Sequence, residues 1–453
     1  MAQDNQIILI ILYLILSIFM IYSIYSNIKK DKMICIHTFF EIYFLIIYGI
    51  TPIIYISSFN SSNNIESHMF LYTHNIKYYY WLFVATLIFY ILYRIFFKLK
   101  IKKRQSISSE KSNNIIDEST DKFFVSTVLI SIIGLISLFL WTKVYGKPWD
   151  IIKYANVIRS GRSTIYNPYT FLKPFCSFLI IAFYNNIIMF HKTRFKVLNF
   201  ISLCINLFFS IVFLLGNDSR MMILIFFLCP FLYFKNKNIK INIKTFIIFI
   251  TAAFLTLHVL GSLDRITYFI RNGLLKEDNG KSGVVEIINN EFGYTYRNGV
   301  NVLYFYDNDN LPIIHEFKDI KNIALAFVPE RFKKNDETLS DLNNLYYPNS
   351  TGAIPTDIIT SSIYKFHLFG IILMPFIISF ILKLLENLFG SFKSDYMFLI
   401  YNMIGCNTCL RFVGYYDLSD NLFSSFYLIA CSIIILFICK KKEKIVLLDG
   451  GSK

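Results

Sequence analysis

The chain has 453 residues, of which 55% are hydrophobic and 17% charged, with 47 Phe and 31 Tyr. Its apolar residues fall in runs long enough to cross a bilayer, which excludes an ordinary soluble globular protein and predicts an all-α polytopic membrane protein. A net charge of +15 would suggest a nucleic-acid partner in a soluble chain, but here most Lys and Arg lie in short segments between apolar runs, so no nucleic acid is expected.

Residues 7–25 lack a basic start and a small-residue cleavage site, and read as a first transmembrane helix and not as a cleavable signal peptide. Basic segments at 29–32, 98–122, 192–196, 235–244 and 440–444 mark the cytoplasmic side by the positive-inside rule. The spans between them predict about eleven helices, roughly at 7–26, 33–56, 78–97, 123–142, 171–190, 197–215, 221–234, 245–263, 357–384, 396–412 and 422–439. This parity puts the N-terminus outside and the C-terminus inside. Three regions follow: helices 1–8 with short loops over 1–263, a large outer loop at 264–356, and helices 9–11 with a cytoplasmic tail over 357–453. The large loop is the only long polar segment between spans and carries Arg265, Arg271, Glu291, Arg297 and Arg331, so it is expected to form the lid of an active site. It and a smaller outer loop at 143–170 keep basic residues against the charge bias, as binding an anion would require.

In chain order, the first outer loop, 57–76, has Glu66 as its single acid and lacks the paired carboxylates of a metal-dependent lipid-phosphosugar transferase. The Ser-, Asn- and Lys-rich segment 98–122 reads as a flexible connection. Arg159 and Arg162 flank a Ser-Gly pair in a basic turn. Their guanidinium groups suit phosphate oxygens, or the turn touches lipid headgroups. The seventh span, 221–234, covers only about 21 Å against a hydrocarbon core of about 30 Å. Either the bilayer thins there, or the 216–220 turn dips and sets Arg220 in a membrane-embedded cavity, where an ionisable group is costly and functional. Local pairing with Asp218, or snorkelling to the headgroups, is the alternative. Arg411 repeats the theme near the outer end of another shortish span, with Asp417 and Asp420 close behind.

Within the large loop, 284–290 and 300–306 have helix-like apolar spacing, and 317–332 suits an amphipathic segment on the membrane surface. Asp307-Asn308-Asp309 is a DxD pattern read as a solvated turn. The eight cysteines, including the Cys406/Cys409 CxxC pair, read as small apolar helix residues. No two of the seven histidines have ligand spacing, His37 and His258 read as isolated span residues, and no metal or cofactor is expected. There is no internal repeat, which weakens a transporter of duplicated halves.

The layout of many spans and one large outer loop joins several short motifs: 216–220 opening a helix, Glu291-Phe292-Gly293, Pro329-Glu330-Arg331, Thr351-Gly352, and a Tyr364, Phe366, Phe369, Gly370 pattern. Together they resemble a Wzy-type O-antigen polymerase, with His367 standing where a small residue is common in that family. The resemblance implies a GT-C-like, metal-independent glycosyltransferase of the bacterial inner membrane. It would transfer the growing glycan from undecaprenyl pyrophosphate to the terminal sugar of a new lipid-linked repeat unit at the periplasmic face. A chain-length regulator and a flippase are the implied partners. Arg220, Arg411, Arg162 and Arg331 would meet the charge on the leaving pyrophosphate, and Glu291 would act as base, with Asp357, His367 and His315 in reserve. Arg159, Arg297 and Tyr364 would add contacts to pyrophosphate or glycan. An O-antigen ligase, with His315 as base, and a lipid-linked oligosaccharide flippase are the rival functions.

Overall fold

A computed structural model describes residues 3–31, 34–57, 73–99, 121–155, 158, 166–190, 196–217, 220–236, 284–308, 355–389, 394–416 and 418–439. Among these the chain is helical, and seven segments are long and apolar enough to cross a membrane: Asp4–Asp31, Ile36–Ser57, Ile76–Lys98, Asp121–Thr142, Thr170–Met189, Lys196–Gly216 and Ile358–Asn387. The protein is therefore a polytopic membrane protein. Helix α1 (Gln3–Asp31) shows why its sequence suits lipid: Leu9, Tyr13, Leu16 and Met20 are buried, while Ile7, Ile11, Ile15 and Ile18 on the outward face are apolar too.

The second span is α2 (Ile36–Phe44), a π-helical segment (Leu45–Ile50) and α3 (Thr51–Ser57). Helix α4 (Ile76–Lys98) starts where the Asn75 side chain accepts from Lys77 N at 3.0 Å, and α5 (Asp121–Thr142) follows. The next hairpin comprises α6 (Lys173–Cys176), α7 (Phe178–Met189) and α8 (Lys196–Gly216). Short polar side chains tie this part together, with Ser131 Oγ donating to Asn206 at 2.7 Å and Asn199 Nδ2 to the Asn186 carbonyl at 3.0 Å.

Helix α9 (Arg220–Asn236) is longer at both ends than the expected seventh span. Its 17 residues reach about 25 Å at 1.5 Å per residue, so about half of the expected shortfall remains. The eighth expected span lies outside the described residues. Helix α10 (Val284–Asp307) comes from the segment expected to be a lid, and joins the two apolar-spaced stretches into one helix.

The ninth expected span is not one helix. It divides into α11 (Ile358–Phe366), a 3-10 turn (His367–Phe369) and α12 (Gly370–Phe389). His367 takes φ +54°, and Gly370 lies so close to the Ser362 carbonyl that a Cβ there would collide with backbone. A straight helix would hold residues 362 and 370 about 12 Å apart, so the chain turns sharply at this point. Helices α13 (Asp395–Gly414) and α14 (Leu418–Cys439) complete the bundle. Cys406 and Cys409 are buried within α13, and Cys409 Sγ donates to the Ile36 carbonyl at 3.3 Å, as small helix residues would.

Candidate functional site

Helix α10 is built into the bundle. Phe292, Tyr296, Val300 and Leu303 recur at helical spacing and are buried, which explains why the segment folds as a helix against α3, α4 and α11. Tyr296 meets the rings of Tyr55 at 5.3 Å, Tyr13 at 5.9 Å and Tyr79 at 6.0 Å. Gly299 permits close approach to α4, since a Cβ there would lie 2.7 Å from Leu82 Cδ1.

The same helix also buries Thr295, Arg297, Asn298 and Asn301. Asn298 Nδ2 donates to the Pro355 carbonyl at 3.0 Å, and Tyr294 OH donates to the Gly414 carbonyl at 2.6 Å, so α10 joins the approach to α11 to the end of α13. At its C-terminus Asp307 accepts from Lys77 Nζ and Tyr78 OH, both at 2.8 Å. The Lys77 hydrogen bond, with that of Tyr78, holds the Asp307 carboxyl below the usual carboxylate range. Asp307 and Asn308 are exposed and Asn308 is the turn that ends α10, in line with a solvated turn, while Asp307 also links α10 to α4; Asp309 lies outside the described residues.

Asp357 caps α11. Its carboxylate accepts from Ile359 N at 3.1 Å, Thr360 N at 3.0 Å, Thr360 Oγ1 at 2.5 Å and also from Tyr48 OH. Tyr48 sits in the π segment near the middle of the Ile36–Ser57 span, so α11 begins inside the bundle. Tyr48 OH and the Ile359 and Thr360 amides all meet Oδ1, while Thr360 Oγ1 meets Oδ2, so Asp357 caps α11 and ties it to the second span. In the last turn of α11, Lys365 is buried with Nζ 5.0 Å from the centre of the Tyr416 ring. Tyr416 N in turn donates to the Thr356 carbonyl at 2.7 Å. Tyr364 is buried beside it in sequence.

Arg297 and Tyr364, expected from sequence to touch substrate, therefore lie on two helices packed against each other, α10 and α11. Arg411 is half-buried on α13, its Nε donating to Asn407 Oδ1 at 3.2 Å. Glu291 falls within α10 and Arg220 opens α9, with side chains outside those described. Arg159, Arg162, Arg331, His315, His258 and the 317–332 segment lie outside the described residues. His367 is exposed, with its ring 5.5 Å from that of Tyr306. Lys365 is a buried cation that sequence reading missed; a lysine eight residues into a predicted span was the available signal.

A second polar region lies at the opposite end of the bundle. A cavity of about 680 Å³ is lined by Lys30, His37, Glu41, Arg94, Lys98 and Lys383, among others. Glu41 is almost fully buried, accepts from Ser23 Oγ at 3.0 Å and Asn27 Nδ2 at 2.9 Å, and has Arg94 Nε at 3.7 Å. His37 is not isolated, as expected, but has Nδ1 2.6 Å from Glu386 Oε1. An acid in the second span and an arginine in the third were the legible signals here. No protein-family model, curated protein or solved structure matches the chain.

Proposed function

We propose that this protein is a membrane-embedded glycosyltransferase that polymerises lipid-linked oligosaccharide repeat units, an O-antigen polymerase of the Wzy type. One observation carries this: Arg297, Asn298 and Asn301 are buried on a helix drawn from the chain's long polar segment, and that helix packs against α11 with its buried Lys365. Buried cations within a membrane bundle are costly and are kept where an anion must be held. A pyrophosphate joined to a lipid has both the charge and the apolar tail for such a place.

In the reaction proposed, the terminal sugar hydroxyl of a new repeat unit attacks the anomeric carbon of the growing glycan. A glycosidic bond forms, the bond from that carbon to the pyrophosphate oxygen breaks, and the electron pair leaves with the pyrophosphate. The hydroxyl proton passes to a carboxylate, for which Glu291 of α10 is the candidate. Arg297 and Lys365 offset the charge that develops on the leaving group, with Arg411 and Arg220 as further donors. The donor and acceptor are undecaprenyl-pyrophosphate oligosaccharides at the outer face of the inner membrane, with a chain-length regulator and a flippase as partners.

The test is the surface glycan of a deletion strain complemented with wild type, Arg297→Ala or Glu291→Gln, resolved by length. Loss of the ladder to a core bearing a single repeat unit, restored by wild type and reduced by about 100-fold or more in the two variants, is expected. Bare core with accumulating lipid-linked polymer would instead identify a ligase. Absence of both products outside, with repeat units retained inside, would identify a flippase.

A further inference from the structure

The junction between the first two spans brings together three groups that the glycosyltransferase chemistry does not use. A carboxylate oxygen of Asp31, the sulfur of Cys35 and a ring nitrogen of His37 all lie within 4.8 Å of one another. Glu386 Oε1, on α12, accepts from His37 N at 2.9 Å and lies 2.6 Å from His37 Nδ1. In the neutral ring with its proton on Nδ1, toward this carboxylate, Nε2 keeps its lone pair, the arrangement that orients metal-bound histidines. Nε2 faces Asp31 Oδ2 at 3.6 Å. That separation is long for a hydrogen bond but near the roughly 3.3 Å between two ligand atoms on a tetrahedral ion with bonds of about 2.0 Å.

We propose that Asp31, Cys35 and His37 form a zinc site, with Glu386 orienting the His37 ring and the fourth coordination position facing the cavity. Thiol, imidazole and carboxylate together match zinc and disfavour magnesium or calcium, which take oxygen ligands. Three protein ligands leave one position for water, and the cavity of about 680 Å³ that all four residues line gives water access to it. The ion would tie the end of α1 to the start of α2, and through Glu386 to α12.

The experiment is cobalt and zinc binding by the full chain purified in detergent with its thiols reduced. Wild type is expected to retain stoichiometric zinc and, after exchange, to show the intense thiolate-to-cobalt absorption and the visible bands of tetrahedral cobalt. Cys35→Ser should lose the thiolate band, and Glu386→Gln should keep it while binding about 10–100-fold more weakly. Added zinc should raise the melting temperature of wild type and not of Cys35→Ser. Weak octahedral cobalt bands in wild type, or a thiolate band that persists in Cys35→Ser, would overturn the proposal. Where Cys35→Ser fails to fold, His37→Gln replaces it, and an unchanged cobalt spectrum in that variant would equally overturn the proposal.

Discussion

The two ends of the bundle bury their ionisable groups by different means. At the junction of α10 and α11, Asp357 is satisfied mostly by the first turn of its own helix, with Tyr48 as the one distant donor. At the other end, Glu41 is satisfied by Ser23 and Asn27 of α1 and by Arg94 of α4, and it borders a cavity. The first arrangement fixes where a helix starts. The second fixes how three helices sit together, so disturbing it must cost more.

The sharpest way to break this comparison is Arg94→Leu, which leaves Glu41 buried beside an apolar chain. It is expected to cost about 3 kcal/mol in denaturant unfolding in micelles, and the double variant with Glu41→Leu should recover much of that. A single variant as stable as wild type would show that the pair does not hold the helices. Asp357→Ala should cost about 2 kcal/mol, from a lost cap and a stranded Tyr48 hydroxyl. Asp357→Asn keeps an acceptor for the cap and should retain glycan ladders; a null phenotype with normal folding would make Asp357 the base in place of Glu291.

Gly299→Ala tests whether α10 is seated against α4. With Leu82 Cδ1 at 2.7 Å, a loss of about 1–2 kcal/mol is expected, and Leu82→Ala should relieve part of it. The smallest effect belongs to the exposed Asp307–Lys77 pair. Because the folded-state pKa of Asp307 is lowered, its contribution is fully present above the ordinary carboxylate pKa and is lost as pH falls through the lowered one. The melting temperatures of wild type and Asp307→Asn should therefore differ slightly at neutral pH and converge on acidification.

Several features were legible from residue order. Apolar runs located seven segments that the structure shows as helices long and apolar enough to cross a membrane, and the spacing of Val300, Leu303 and Tyr306 marked helix within the long polar segment. Arg297 and Tyr364 lie on adjoining helices, a proximity that residue order does not encode. The break at His367 was not legible, because it depends on a backbone approach between Gly370 and Ser362 that no propensity encodes. Nor was the contact of Asp357 with Tyr48, a donor 309 residues away.

Residue order alone determined that the chain lives in a membrane, since a bilayer selects directly for length and hydropathy of contiguous segments. It also marked which segment was polar enough to need another home. Only the tertiary structure decided that part of this segment is a helix inside the bundle, and that His37 meets a carboxylate 349 residues distant. Helical periodicity fixes neighbours three and four residues apart. Which helices then face each other is settled by side-chain packing between them, and that is where both buried polar sites are made.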